Sequence, residues 1–416
     1  MPRAVLLLPK AGYRNDDFLA AAGKLGVEVV VVSDVCHQLA EGWQDAPLAV
    51  KFRDAAAAAE ELARSVAPLA PAAVVGVDDL TALVAALASA RLGLPHNPPE
   101  AVAAARSKAL SRERLRAAGL PVPRFAVFSR DATEIEARWT TYPCVVKPLV
   151  LSGSRGVIRA DTPAELRAAV ERVAAILRAP DVAQRRDPDL LRIQIEEFIP
   201  GAEVSLEGLL SAGRLHVLAL FDKPDPLDGP YFEETLYVTP SRHPAGIQEA
   251  VEQAVSAGCA ALGLREGPVH AELRLSPEGP RLLEIAARSI GGLCGRALRF
   301  GVGVTLEELV LRHALGSAAP PPPREERAAG VLMLPIRRRG TLEAVRGVEA
   351  ARAVPLIEEV VITAHLREEL VPLPEGASYL GFVFARAATP AEVEAALRAA
   401  GEQIEAVVTP RLPVAH

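Results

Sequence analysis

Residues 1–100 alternate short apolar runs with helical stretches, and few architectures tolerate that pattern. Residues 4–8, 27–33 and 73–77 read as strands, apolar nearly throughout rather than on alternate positions. Helices are predicted at 18–25, 54–65 (an alanine-rich run) and 80–92. A strand apolar on both sides must be buried on both faces, and strand–helix–strand order favours parallel pairing with helices on each face. The N-terminal part is therefore expected to be a parallel α/β layer. Its first strand runs into residues 9–14 and not into a G-x-G-x-x-G turn, so a dinucleotide site has little support.

Beyond this layer the pattern changes. A helix is predicted at 107–118, closed by Gly119 and the Pro121 and Pro123 turn. Shorter strands are expected at 124–128, 144–147, 156–159, 192–197, 203–210, 214–221, 267–275 and 281–285, with helices at 163–176 and 247–262. After Pro320, Pro321, Pro322 and Pro323, strands at 329–335, 357–364 and 378–385 precede a helix at 389–401. The fold class is thus α/β and α+β multidomain: an N-terminal unit at 1–105, a middle unit at 106–320 and a small C-terminal α+β unit at 325–416.

Composition narrows the function classes. The 416 residues carry a net charge of −6, which argues against a general nucleic-acid binder. No apolar run reaches the roughly 20 residues of a membrane helix. Cys36, Cys144, Cys259 and Cys294 form no C-x-x-C pair, so they read as small core residues in a reducing, cytoplasmic setting. Only Lys10, Lys24, Lys51, Lys108, Lys147 and Lys223 are lysines among 46 basic residues, which singles each of them out.

The middle unit holds an ordered series of motifs. Lys108 opens a helix, and Lys147 ends the apolar strand that contains Cys144, Val145 and Val146. Ser152, Gly153, Ser154, Arg155 and Gly156 follow. Small residues there let backbone N–H groups approach a phosphate, although the same letters also write a plain hairpin turn. A strand-end lysine a few residues earlier favours the phosphate. Glu196, Glu197, Phe198 and Ile199 offer an apolar surface and strand-end backbone to an adenine edge, and Glu203 is a candidate acceptor for ribose hydroxyls. Glu272 and Glu284 lie 284 − 272 = 12 residues apart, on strands joined by a tight turn at 276–280. Facing carboxylates repel unless a cation lies between them, and hard oxygen ligands favour Mg²⁺. Val269, Leu273, Leu283 and Ile285 around them speak against a merely solvated strand face.

In this order, these residues resemble the ATP-grasp superfamily of carboxylate–amine ligases, over residues 1–320. The run from His270 to Arg274 with that from Leu282 to Arg288 is most similar to the L-amino acid ligase (dipeptide synthetase) branch, as is the stretch around Gly381–Arg386. The resemblance implies an N-terminal parallel domain, a hinged lid at about 120–200, a central antiparallel domain and a small C-terminal domain. It implies that Lys108 and Lys147 contact phosphate, that Ser152, Gly153, Ser154 and Gly156 form the loop over it, and that Glu196–Ile199 and Glu203 hold the nucleoside. It makes Glu272 and Glu284 the metal ligands, with two Mg²⁺ ions and Mn²⁺ as an alternative, and gives Arg288 the acyl phosphate and tetrahedral intermediate. Ala286 stands where many members carry an asparagine ligand, a departure the amino acid ligase branch shares.

The implied reaction joins an amino acid carboxylate to an amine through an acyl phosphate, with release of ADP and phosphate. Small-molecule carboxylate and amine substrates are expected, with no nucleic-acid or membrane partner, and a homodimer as the assembly common among such ligases. Glu234 is a candidate for the substrate amino group, His270 for a substrate contact or a core histidine, and Gly291 and Gly292 for a roomy acyl pocket. Asp78 and Asp79 read as structural, and Arg337, Arg338 and Arg339 as a surface turn. Two other readings remain: a carboxylase-type enzyme of purine synthesis, and an ATP-binding sensor without catalysis.

Overall fold

The computed structural model describes residues 2–10, 12–34, 48–133, 135–185, 187–317 and 319–410. Cys36 lies outside them. The N-terminal strands β1 (Arg3–Leu7), β2 (Glu28–Ser33), β3 (Leu48–Ala49) and β4 (Ala73–Gly76) form a parallel sheet in the order β3-β2-β1-β4. The apolar run that starts the chain is explained by its two faces. Val5 and Leu7 pack into one core with the helices Ala55–Val66 and Asp79–Leu92, while Leu6 and Leu8 enter another with Phe18, Ala21 and Ala22. Asp78 caps the Asp79–Leu92 helix in a reciprocal capping box with Thr81. A further helix at Pro99–Arg106, which the sequence reading does not include, precedes that at Lys108–Ala117.

The region expected to form the lid holds a four-stranded antiparallel sheet of β5 (Phe125–Ser129), β6 (Cys144–Pro148), β7 (Ile158–Ala160) and β8 (Arg192–Glu197), in the order β5-β8-β6-β7. The helix Pro163–Arg178 buries Leu166, Val170, Val173 and Leu177 against it.

The central strands are β9 (Ala202–Ser211), β10 (Arg214–Lys223), β11 (Leu236–Thr239), β12 (Gly267–Ser276) and β13 (Gly279–Ala286). C-terminal to them come β14 (Ala328–Leu334), β15 (Gly340–Arg346), β16 (Ile357–Ile362), β17 (Glu369–Leu370), β18 (Gly381–Ala387) and β19 (Glu405–Thr409). Because β11 pairs with β14, one sheet runs β13-β12-β9-β10-β11-β14-β18-β16, crossing from the middle unit into the C-terminal one. Strands β17, β15 and β19 make a separate small sheet. On one face of the long sheet the helix Ala245–Leu262 packs against Val269, Ala271 and Leu273. Period-two alternation then sends His270, Glu272 and Arg274 to the opposite face. Arg337, Arg338 and Arg339 are exposed, as expected of a surface turn. No helix is long and apolar enough to cross a membrane among the described residues.

Candidate active site

A cavity of about 740 Å³ lies where the lid, the N-terminal sheet, the long sheet and the C-terminal unit meet. Every site residue expected from the sequence lines it except Gly156. That glycine instead donates its N–H to the Pro374 carbonyl at 2.9 Å, tying the lid loop to the C-terminal unit. Gly153 and Ser154 take positive φ of 63° and 54°, so the loop turns through the left-handed region just where it faces the cavity.

The floor follows from strand register. Glu272 on β12 stands directly opposite Glu284 on β13, and a bulge follows between Glu272 and Leu273. On the other side of β12, His270 pairs with Glu207 and Arg274 with Glu203 of β9, and Glu203 pairs in turn with Lys223 of β10. Lys223 is 6% exposed and sits among three carboxylates: Glu203 at 2.7 Å, Glu272 at 3.4 Å, and Glu234. Oxygens of Glu203, Glu234 and Glu272 lie within 4.8 Å of one another. Burial would lower the Lys223 pKa, but these carboxylates outweigh it and raise it well above the ordinary lysine value. Burial and the Glu272 charge raise the Glu234 carboxyl, whereas Lys223 and His270 overcome burial and hold Glu272 well below the usual range. Glu203, Glu234 and Glu272 share the Lys223 ammonium, so the carboxylates that could hold a divalent cation such as Mg²⁺ are Glu272 and Glu284 facing each other across the hairpin.

His270 is 6% exposed, with Nδ1 at 3.2 Å from Glu207 and Nε2 at 3.6 Å from Glu272. Burial would lower its pKa, but hydrogen bonds to both carboxylates raise it. Glu207, fully buried, also accepts the Ile290 N–H at 3.0 Å, so one carboxylate braces both His270 of β12 and the loop after Arg288.

The lid side carries two lysines. Lys108 lies 3.5 Å from Glu284 and donates to the Leu151 carbonyl at 2.9 Å. Lys147, at the end of β6, pairs with Glu196 on the adjacent β8. Glu196 also takes Arg112 Nε at 3.1 Å and Gln194 Nε2 at 2.9 Å. Burial alone would raise the Glu196 carboxyl, but Arg112 and Lys147 lower it to about 2. Burial, aided by Arg112, lowers Lys147 despite Glu196, because Arg112 supports the anion and repels the ammonium. Glu197 accepts the Arg124 N–H at 3.0 Å. The Glu196 carboxylate is committed within the protein, and β8 is paired on both sides, by β5 and β6, with the Glu197 N–H donating to the Arg124 carbonyl at 2.9 Å.

Arg288 follows β13 and is gripped by Asp79 of the N-terminal unit at 3.0 and 3.2 Å. Burial would lower its pKa, but Asp79 and Glu284 raise it. Beside it the wall turns apolar with Tyr13, Ile290, Cys294, Met333 and Tyr379, the last two from the C-terminal unit. Gly291 opens into this space, since a Cβ there meets nothing within 4 Å. Gly292 differs: its φ is +59° and a Cβ would stand 2.8 Å from the Phe382 ring. Cys144, Cys259 and Cys294 are free and buried, and burial raises all three thiols, Cys144 and Cys259 to about 12.

Sequence reasoning did not assign roles to Lys223, Arg14, Arg112 or Tyr379, and took Asp79 as structural. Lysine scarcity was a signal for Lys223. The others meet partners far along the chain and left no local pattern.

With this geometry in view, the comparisons are specific. A family model of the ATP-grasp domain matches residues 140–297. The D-alanine–D-alanine ligase of Methylibium petroleiphilum is 30% identical over 235 residues, covering 53% of this chain and 69% of the relative. The chain belongs to the ATP-grasp family. A model of the L-amino acid ligase C-terminal domain 2 matches residues 332–409, the part of this ATP-grasp chain that supplies Met333 and Tyr379. Carnosine synthase 1 of Gallus gallus is 29% identical over 383 residues, 85% of this chain, although the chain spans only 41% of that relative. A crystal structure of an L-amino acid ligase from Bacillus licheniformis superposes with a TM-score of 0.80 at 25% identity, covering 99% of each chain.

Proposed function

We propose that this ATP-grasp protein is an ATP- and Mg²⁺-dependent ligase that activates an amino acid carboxylate as an acyl phosphate and joins it to an amine, most simply a second amino acid. The observation that carries the reading is convergence: paired carboxylates, lysines, a glycine–serine loop and an arginine share one cavity.

The chemistry follows from charge. A carboxylate oxygen attacks the γ-phosphorus, the bond to the bridging oxygen breaks, and ADP departs. Approach of two anions needs neutralising cations, a role for Lys108 and Lys147, which both line the cavity. Mg²⁺, two ions in this reading and replaceable by Mn²⁺, would be held by Glu272 and Glu284 and would screen the triphosphate charge. The amine then attacks the acyl carbon, Arg288 N–H groups face the tetrahedral oxyanion, and phosphate leaves as the amine loses its proton. The lid excludes water that would hydrolyse the acyl phosphate. The apolar wall near Gly291 accommodates the donor side chain, and Glu234 is assigned to its amino group. The match of residues 332–409 to the L-amino acid ligase C-terminal domain 2 makes the carboxylase alternative the weaker one. A homodimer, read by light scattering, and a cytosolic setting complete the proposal.

The test is a product assay. The protein is incubated with ATP, Mg²⁺ and pooled amino acids, phosphate is measured and ligated products are weighed by mass spectrometry. Amide products with ADP support the ligase. Turnover only with bicarbonate and an aminoimidazole ribotide supports the carboxylase, and tight ATP binding without turnover supports the sensor. Glu284→Gln should abolish turnover with the fold intact; a near-normal rate removes Glu284 from its role.

A further inference from the structure

Asp79 is the first residue of the helix Asp79–Leu92, and Arg288 follows β13 across the cavity. They meet side-on: Arg288 Nε donates to Oδ1 at 3.0 Å and Nη2 to Oδ2 at 3.2 Å. Nη1 donates to the Ser289 carbonyl at 3.1 Å. A guanidinium has five N–H groups in a fixed plane. Three are taken here, which leaves one on Nη1 and one on Nη2 for a ligand. We infer that Asp79 is a positioning residue that sets which edge of Arg288 faces the reacting acyl centre, an inference that rests on the ligase reading above.

Two observations set this apart from helix capping or simple charge balance. Asp78 already caps the helix, through the Thr81 N–H at 2.7 Å, so the Asp79 carboxylate is not needed for that task. A second grip from the same N-terminal unit holds the neighbouring residue, because Arg14 donates to both Ser289 Oγ and the Val77 carbonyl. The Arg288–Ser289 step is thus pinned on two sides by the N-terminal domain. Pairing with a carboxylate weakens Arg288 as a bare positive charge. What it gives in return is orientation, which a planar donor needs and a point charge does not. The N-terminal domain becomes part of the catalytic geometry through Asp79, a carboxylate that need not itself touch the acyl group.

The test uses the full chain with Asp79→Ala, Asp79→Asn, Arg288→Lys and the double variant Asp79→Ala/Arg288→Lys. Asp79→Ala should lower kcat about 100-fold while KM for ATP stays within about two-fold. Asp79→Asn keeps one acceptor in place and should recover part of the loss. In the Arg288→Lys background, where no side-on fork exists, Asp79→Ala should cost less than about two-fold. An activity-independent reading is amide hydrogen exchange, which should rise in Asp79→Ala across residues 286–292 and leave the long sheet unchanged. The inference is overturned by a near-wild-type kcat for Asp79→Ala, by equal losses in both backgrounds, or by unchanged exchange at 286–292. A wild-type protein that makes no amide from any pool would sink the ligase reading instead, and exchange would still judge Asp79.

Discussion

Gly291 and Gly292 are neighbours in sequence, yet substitution should affect them in opposite ways. At Gly292, an alanine would have to hold φ +59°, which costs an L-residue about 1–2 kcal/mol. Its Cβ would also stand 2.8 Å from Cε1 and 3.1 Å from Cζ of Phe382, a buried ring, so the ring must move. Overpacking of that kind costs about 1–3 kcal/mol. The sum, about 2–5 kcal/mol, is a large share of the 5–15 kcal/mol or so that holds an ordinary domain together. At Gly291 a Cβ meets nothing within 4 Å, so alanine there should stay within about 0.5 kcal/mol of wild type. Valine at Gly291 would narrow the apolar end of the cavity and discriminate against bulky donors by about 10- to 200-fold. The assay pairs thermal unfolding with kcat/KM for glycine, alanine, leucine and phenylalanine as acyl donors. Gly292→Ala should melt several degrees lower and lose activity evenly. Gly291→Val should melt normally and lose activity in order of donor size. A normally melting Gly292→Ala that rejects only large donors would refute the reasoning.

Two further outcomes are expected. Glu375 of the C-terminal unit binds Arg172 of the lid at 2.5 and 3.0 Å, and both side chains are partly exposed. Glu375→Gln should therefore change stability by less than about 1 kcal/mol but raise KM for ATP about two- to five-fold, with salt raising wild-type KM towards the variant's. An unchanged KM at low salt would show that the lid does not rely on this tie. Glu196→Gln should cost about 3–5 kcal/mol at neutral pH, because it leaves Arg112 and Lys147 facing a buried neutral group. The Glu196 carboxyl falls from 4.5 to about 2 on folding, so its contribution is complete above the unfolded value and is lost as pH drops through the folded one. Denaturant titrations should find the wild-type advantage steady from about pH 7 to 5 and shrinking between about pH 4 and 2. A constant gap across that window would remove Glu196 from the account.

The boundary between what was legible and what was not runs along sequence distance. The doubly buried strand at Arg3–Leu7, the β12–β13 hairpin that opposes Glu272 and Glu284, and the step from Lys147 to the Ser152–Ser154 loop are short-range features. Each is written in the period of apolar residues or in a turn of fixed length, and such patterns survive without knowledge of the fold. Strand β11 was missed because four residues in an acidic, proline-containing stretch carry no such period; its pairing with β14 is what joins the C-terminal unit to the long sheet.

The pairs that finish the site are of another kind. Asp79 meets Arg288 209 positions away, and Arg14 meets Ser289 275 positions away. Lys223 gathers Glu203, Glu234 and Glu272 from separate elements. The amino-acid order by itself determined the strands and helices with a clear apolar period and which residue types could carry phosphate chemistry. Only tertiary structure decided which charges neutralise one another and which edge of Arg288 stays open. Electrostatic partnership depends on ångströms of separation in a low-dielectric interior, and no spacing rule along the chain encodes that.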